Sequence, residues 1–319
     1  MIELSNAVVG YGPDHAFTAA VDDVGLTVSD NEILGIAGES GCGKSTLIRA
    51  LYGDFNHGLR QRGGTIRARF TDPATGRTVE RDGASLRDLW WDVVTYVPQG
   101  SMSVLNPLMK VERQIVDGLP ARESTGSRRH LRQRIAAFLD GLGLDESVLD
   151  AYPHQLSGGM RQRVLVAIAA FVNPRLILAD EPTTALDVVV QKRILLMMVG
   201  IQRRLRNTLV LVSHDLGVHY QVTDRLAIAY AGKIVEIGPT ACIFAAPSHP
   251  YTQALIAALP RIGDRGQRRG LEGRPPSLSA PPGGCRFAAR CPEAQDVCRR
   301  VSPDLVPRSA DWPVACHFR

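Results

Sequence analysis

Gly38-Glu39-Ser40-Gly41-Cys42-Gly43-Lys44-Ser45-Thr46 lies between an apolar run, Glu32-Ile33-Leu34-Gly35-Ile36-Ala37, and the helix-like Leu47-Ile48-Arg49-Ala50-Leu51. The run is too short for a helix and is bounded by glycine, so it reads as a buried strand. Strand, loop and helix together satisfy G-x-x-x-x-G-K-[ST] in the setting that the motif requires. Gly38, Gly41 and Gly43 let backbone N–H groups, with those around Ser40, converge on phosphate oxygens, and the helix N-terminus adds a positive dipole end. Lys44 is placed to reach the β- and γ-phosphates, Ser45 to bind Mg²⁺, and Thr46 completes the loop. The loop by itself names a nucleoside-triphosphate site and no reaction, because several enzyme classes share it.

Further along, Leu176-Ile177-Leu178-Ala179 repeats the buried-strand pattern and ends in Asp180-Glu181. Open α/β sheets bind ligands at the carboxyl ends of their strands. Successive side chains on a strand point to opposite faces, so the two carboxylates have different jobs. Asp180 suits Mg²⁺, and Glu181 suits the residue that polarises an attacking water. A third apolar run, Thr208 to Val212, leads into Ser213-His214-Asp215, where His214 is a candidate for the γ-phosphate. Gln99 follows Tyr96-Val97-Pro98 in a similar position. Without context, a lone histidine is more often a hydrogen-bonded structural residue, and the glutamine reads as a simple loop residue.

The deciding segment is Leu156-Ser157-Gly158-Gly159-Met160-Arg161-Gln162-Arg163. Ser157 reads as a helix N-cap, and the glycine N–H groups after it form a second surface for anions. The segment resembles the signature of the ABC ATPases. Phosphate loop, Gln99, signature, Asp180-Glu181, Ala185-Leu186-Asp187 and His214 all follow in that family's order. The resemblance implies an α/β P-loop cassette: a RecA-like core, an antiparallel β subdomain and a helical subdomain. It implies that Ser157, Gly158 and Gly159 close on ATP held by a partner cassette, so that hydrolysis needs a homo- or heterodimer. It also assigns Tyr11 to adenine stacking, Gln99 to Mg²⁺ sensing at the face of the membrane subunits, and Asp187 to coupling between the two sites.

Composition shifts past about Pro239 toward Pro, Gly, Arg and Cys, and Arg274-Pro275-Pro276 and Pro281-Pro282-Gly283-Gly284 resist regular structure. Four of the six cysteines, Cys285, Cys291, Cys298 and Cys316, fall in the last 35 residues. Disulfides are improbable in a cytoplasmic chain, which leaves metal ligation or unligated thiols. The spacing C-x5-C-x6-C is looser than the paired C-x2-C of a zinc ribbon. Gly284-Cys285-Arg286-Phe287-Ala288-Ala289-Arg290-Cys291-Pro292, with Ser248-His249-Pro250-Tyr251-Thr252 before it, resembles the carboxy-terminal extension of oligopeptide and dipeptide importer ATPases. That resemblance implies a [4Fe–4S] cluster on the four tail cysteines, with Zn²⁺ as the alternative. Cys42 and Cys242 read as incidental.

The remaining sequence sets the frame. A chain of 319 residues, 45% hydrophobic, buries a large domain plus an appendage. Val8, Val9, Val21, Val24, Leu26 and Val28 among turn residues predict antiparallel strands at the start. Leu131, Ile135, Phe138, Leu139 and Leu142 predict a helical subdomain over about 100–172. The cassette is expected over 1–240 and the extension over 241–319. No signal peptide and no membrane-spanning stretch is read, so the chain is expected to stay in the cytoplasm, and the resemblance implies a peripheral place at the cytoplasmic face of the membrane. The net charge of +5 is dispersed, which argues against nucleic acid. Implied partners are a second ATPase subunit, two transmembrane permease subunits and, through them, an extracytoplasmic solute-binding protein. Peptide is the expected cargo, with nickel or oligosaccharide as alternatives for the same motor. A soluble non-transport ABC ATPase is the rival, and it would need a coiled-coil insertion or a second cassette that the sequence lacks.

Overall fold

The computed structural model describes all residues except 72–75, 101–103, 121–122, 124–126, 185, 260–270 and 310–311. The chain divides into two compact units, one made of Met1–Leu86 with Val212–Arg319 and the other of Arg87–Leu211. The first unit opens with β1 (Ile2–Tyr11), β2 (Thr18–Val28), β3 (Ile33–Ala37), α1 (Lys44–Tyr52), β4 (Leu59–Thr71) and β5 (Thr78–Asp82). The expected antiparallel strands are present, in the order β2-β1-β4-β5. Ile2, Leu4, Leu26, Val28, Ile66 and Ala68 line their buried side, as the alternation of a half-buried sheet requires. β3 is buried at every position, the pattern of a strand covered on both faces. Gly43, at φ 101°, turns the chain into α1, and Gly53, at φ 72°, ends it by returning its N–H to Ala50.

The second unit holds β6 (Val94–Val97), α2 (Val111–Asp117), α3 (Arg128–Asp140), α4 (Gly158–Phe171), β7 (Leu176–Asp180), α5 (Val188–Leu205) and most of β8 (Thr208–Val212). β7 lies between β6 and β8 and runs parallel to β6, with Val97 opposite Ala179. The periodicity read from Leu131 gives α3, which buries Leu131, Ile135 and Leu139 one turn apart. Phe138 of α3 meets Phe171 of α4 edge to face at 5.5 Å. α4 starts at the Ser157 cap and stops at Phe171, where Asn173 turns left-handed before Pro174.

The first unit resumes with α6 (Leu216–Val222), β9 (Arg225–Tyr230), β10 (Lys233–Pro239), α7 (Thr240–Ala245), α8 (Pro250–Ala257), α9 (Asp296–Arg300), β11 (Val306–Ser309) and β12 (Trp312–Val314). Its second sheet has the order β11-β12-β10-β9-β3, with β3 and β9 parallel and the others antiparallel. β9 and β10, which the sequence reading did not assign, form a hairpin through Ala231-Gly232, both at positive φ (45° and 85°). That is the backbone a two-residue turn of matching twist demands. The proline-rich stretches of the tail are irregular, as read, yet the tail is no loose appendage. Trp312–Val314 extends the sheet at β10, and Tyr230, Tyr251 and Phe287 form one buried aromatic cluster with ring centroids 4.5 to 5.4 Å apart.

Glu236 of β10 pins this packing. Fully buried, its carboxyl group accepts from the N–H groups of Ser248 (2.8 Å) and His249 (3.0 Å) and from Trp312 Nε1 (2.8 Å). Three donors satisfy a group that would be costly to bury alone. Glu236→Ala strands those donors and is expected to destabilise the chain by about 3 kcal/mol, read as a lower denaturant midpoint at an unchanged slope. Among the described residues no helix is long and apolar enough to cross a membrane.

Candidate nucleotide site

The phosphate loop is shaped by close backbone contacts. A Cβ at Gly38 would lie 2.1 Å from the Ala229 carbonyl oxygen, and one at Gly43 2.0 Å from that of Ala20. Both glycines, and Gly41 at φ 78°, hold conformations that side chains rarely adopt. Lys44 is buried, and its Nζ donates to the carbonyls of Gly38 and Glu39, each at 2.9 Å. Ser45 is exposed on the first turn of α1. Tyr11, at the end of β1, places its hydroxyl 3.4 Å from Thr46 Oγ1, and Arg49 donates to the same hydroxyl at 3.5 Å. The expected adenine-stacking residue therefore stands against the first turn of the phosphate-loop helix. This cradle of glycine backbone around a lysine fits a triphosphate.

Cys42, read as incidental, is buried inside the loop with its sulfur 3.8 Å from Lys44 Nζ, and burial pushes its thiol pKa up. Behind β3, His219 is fully buried; its Nε2 donates to the Ser213 carbonyl (3.2 Å), and desolvation lowers its pKa to about 4. A Cβ at Gly35 would lie 2.5 Å from its Nδ1. The sequence reading missed His219, whose neutral ring packs the phosphate-loop strand. His214, by contrast, is exposed, and it follows Ser213, whose N–H donates to Ile36 of β3 at 3.3 Å.

In the second unit Asp180 is buried at the end of β7 and accepts from the Tyr96 hydroxyl at 3.2 Å. Glu181 follows at φ 44°. Its Oε2 accepts from Gln99 Nε2 at 3.0 Å and from Thr184 Oγ1 at 2.9 Å. The structure thus brings together Gln99 and Glu181, two residues that the sequence placed in separate roles.

Ser157 caps α4 as read, its hydroxyl accepting from the Met160 N–H at 3.3 Å. Asp187 caps α5, accepting from Val189 (3.1 Å) and Val190 (2.9 Å). Ala185 lies outside the described residues. A Cβ at Gly159 would stand 2.6 Å from Val190 Cγ1, and one at Gly158 3.3 Å from Leu186 Cδ2. The glycines therefore permit the close approach of α4 to the start of α5, besides exposing N–H groups at a helix start.

The family model for the ABC transporter matches residues 21–184, and that for the oligopeptide/dipeptide transporter C-terminal region matches 235–298. The chain belongs to the ABC transporter family. It is 37% identical to the dipeptide transport ATP-binding protein DppD of Bacillus subtilis (strain 168), over 99% of this chain and 94% of that protein. DppD of Escherichia coli (strain K12) is 36% identical over 100% of this chain and 96% of its own length. Among solved structures, the dimeric bacterial ABC transporter cassette MJ0796 aligns with a TM-score of 0.61 at 27% identity, covering 75% of this chain and 99% of that one. The post-hydrolysis dimer of the same cassette, bound to ADP and Pi, gives 0.62 at 26%, with the same coverage. The chain is accordingly an ABC ATPase, with ATP and Mg²⁺ as its nucleotide and metal.

The four tail cysteines line one pocket beside Phe287. All are free thiols, and the Cys285 N–H donates to the Cys298 carbonyl at 2.7 Å. Burial raises the pKa of Cys285 and Cys291, and neighbouring cysteines add to it. Among the described residues, however, no group of three or more His, Cys, Asp or Glu is arranged to hold a metal ion. The cysteines converge without forming a group arranged to hold a metal ion, which supports neither the [4Fe–4S] cluster expected on them nor the alternative Zn²⁺.

The fit around Gly159 is testable. Gly159→Ala is expected to cost about 1–3 kcal/mol through overpacking against Val190. Val190→Ala in the same chain should restore most of that loss in thermal unfolding, because it removes the methyl that the new Cβ meets.

Proposed function

We propose that this chain is the ATP-hydrolysing subunit of an importer of di- or oligopeptides, docked at the cytoplasmic face of the membrane on two permease subunits fed by an extracytoplasmic solute-binding protein. The observation that carries the reading is that its likeness to dipeptide transport subunits runs through the tail as well as the cassette. Lys44 and the loop N–H groups from Gly38, Ser40, Gly41, Gly43 and Thr46 bind the β- and γ-phosphates, and Tyr11 packs against the adenine. Ser45 and Asp180 would supply oxygen ligands to Mg²⁺ and Gln99 would sense it, and the ion would neutralise charge on the transferred phosphoryl group. Glu181 orients the attacking water, and His214 contacts the γ-phosphate. Ser157, Gly158 and Gly159 close on the nucleotide of a second cassette, and Asp187 links the two sites. Closure stores binding energy as conformation, which the permeases convert into a change of access.

Glu181→Gln separates binding from chemistry. The variant is expected to bind Mg-ATP like the parent, to lose more than about 100-fold in turnover, and to accumulate as a nucleotide-trapped dimer in size-exclusion chromatography. Hydrolysis at the parental rate would remove Glu181 from its role. For the importer itself, the measurement is ATPase activity of the subunit reconstituted with its permeases. Stimulation by a peptide-loaded binding protein, and not by a nickel- or oligosaccharide-loaded one, supports peptide as the cargo.

The four free thiols of the tail converge on one pocket, but among the described residues they form no group arranged to hold a metal ion, so the [4Fe–4S] reading gains no support from the structure. Cys285, Cys291, Cys298 and Cys316 would supply the thiolates such a cluster needs. Assays of iron and acid-labile sulfide in anaerobically purified protein test that reading, the cluster requiring about four of each per chain. Absence of both removes the cluster, and zinc in their place selects the alternative.

A further inference from the structure

Glu39, the second residue of the phosphate loop, is held at three points. Its carbonyl accepts from Lys44 Nζ at 2.9 Å. Its N–H donates to the Tyr251 hydroxyl at 3.0 Å. Its carboxylate receives a two-pronged bridge from Arg290, Nη1 to Oε2 at 2.7 Å and Nη2 to Oε1 at 2.9 Å. Two of these three holds come from the tail, more than 200 residues away in sequence. Planar fork-to-fork pairing of this kind fixes orientation as well as distance.

Arg290 is itself rigidly placed. Its side chain is 4% exposed. Nε donates to the Glu272 carbonyl at 3.0 Å and Nη1 to the Tyr230 hydroxyl at 3.2 Å, with the guanidinium 5.8 Å from the Tyr230 ring centre. The opposite end of the loop is braced from the same tail segment. Arg286 donates to Ala231 and pairs with Asp22, and the next residue, Gly232, donates its N–H to the Cys42 carbonyl at 2.8 Å. A Cβ at Gly232 would come within 2.8 Å of Arg286 Nη1, so the hairpin turn and the arginine are in direct contact. Cys285 and Cys291, which line the cysteine pocket, flank these two arginines.

We propose that Arg290 is a positioning residue of the nucleotide site: by clamping Glu39 it fixes the carbonyls that aim Lys44, so the tail is a working part of the phosphate loop. The physical step is short. Lys44 Nζ is directed by the carbonyls of Gly38 and Glu39, and a lysine stem without such anchors has several rotamers to lose on binding phosphate. Releasing Glu39 returns that entropy to the free protein and weakens nucleotide binding, while the groups that act on the water stay in place. The inference rests on the phosphate loop holding a nucleoside triphosphate.

The test uses the full-length subunit and a fluorescent ATP analogue with Mg²⁺, followed by steady-state ATPase measurements on the reconstituted transporter. Arg290→Met, Glu39→Gln and the double variant complete a cycle. Each single substitution is expected to raise Kd and KM about tenfold with kcat within about twofold of the parent, and the double to be no worse than the poorer single, since both act through one bridge. Arg290→Lys, which keeps charge but loses the fork, should recover part of the affinity. Tyr251→Phe guards against misfolding of the arginine variants, because it removes only the hydroxyl that accepts the Glu39 N–H; a folded variant with a Kd about threefold higher is expected, its melting temperature lowered by no more than the loss of one hydrogen bond. Parental Kd and KM in folded Arg290→Met and Tyr251→Phe would overturn the proposal, as would additive losses in the double variant. A parent chain without affinity for Mg-ATP overturns the phosphate-loop reading and this inference with it.

Discussion

The nucleotide site depends on a steric constraint: at Gly38 and Gly43 the backbone passes so close to the carbonyls of Ala229 and Ala20 that no Cβ fits. The loop is therefore moulded by the end of β9 and by β2, and its course is set before any ligand arrives. Preorganisation of this kind matters because donors that are already aimed lose little freedom when phosphate binds. Lys44 shares in it, since its Nζ is tied to two carbonyls of the same loop. The buried His219 behind Gly35 keeps the supporting strand close to α6 and, uncharged at neutral pH, adds no cation behind the lysine.

Much of this frame was legible in the chain itself. Ile33–Ala37, Leu176–Asp180 and Thr208–Val212 are short, wholly apolar or nearly so, and bounded by turn residues, and each is a buried strand. Ser157 and Asn173-Pro174 mark the two ends of α4 because capping and chain reversal are local properties. The hairpin of β9 and β10 was not legible, since Ala231-Gly232 lacks the Asn-Gly or Asp-Gly pair that usually announces such a turn. Side-chain partnerships were invisible for a different reason. Gln99 meets Glu181 across 82 positions and Arg290 meets Glu39 across 251, and local sequence carries no trace of contacts set by topology.

The tail shows how far composition misleads when packing is carried by a few polar groups. Stretches such as Arg274-Pro275-Pro276 are irregular, and a Pro-rich, Gly-rich segment reads as one that buries little. Its order comes from elsewhere. Glu236 collects three N–H donors, and the rings of Tyr230, Tyr251 and Phe287 pack together, Tyr230 meeting Phe287 edge to face and Tyr251 tilted against both. Arg286 and Arg290 satisfy carbonyls that no strand ladder could reach. These contacts make the tail continuous with the unit that carries the phosphate loop.

Glu181 is one of several residues other than glycine that hold a positive φ. A left-handed backbone at a residue other than glycine costs roughly 1–2 kcal/mol, and such strain persists only where surrounding contacts over-determine it. Here the Thr184 N–H returns to the Glu181 carbonyl at 3.2 Å, and Gln99 and Thr184 both grip the carboxylate. The left-handed turn moves Glu181 off the line of β7 directly after Asp180, so two adjacent carboxylates leave one strand in different directions. Transfer of a phosphoryl group to water asks little covalent chemistry of a protein and a great deal of positioning. A carboxylate whose direction is fixed by two donors and a strained backbone suits the water-orienting role proposed for Glu181, and glycine in its place would ease the backbone while surrendering the direction.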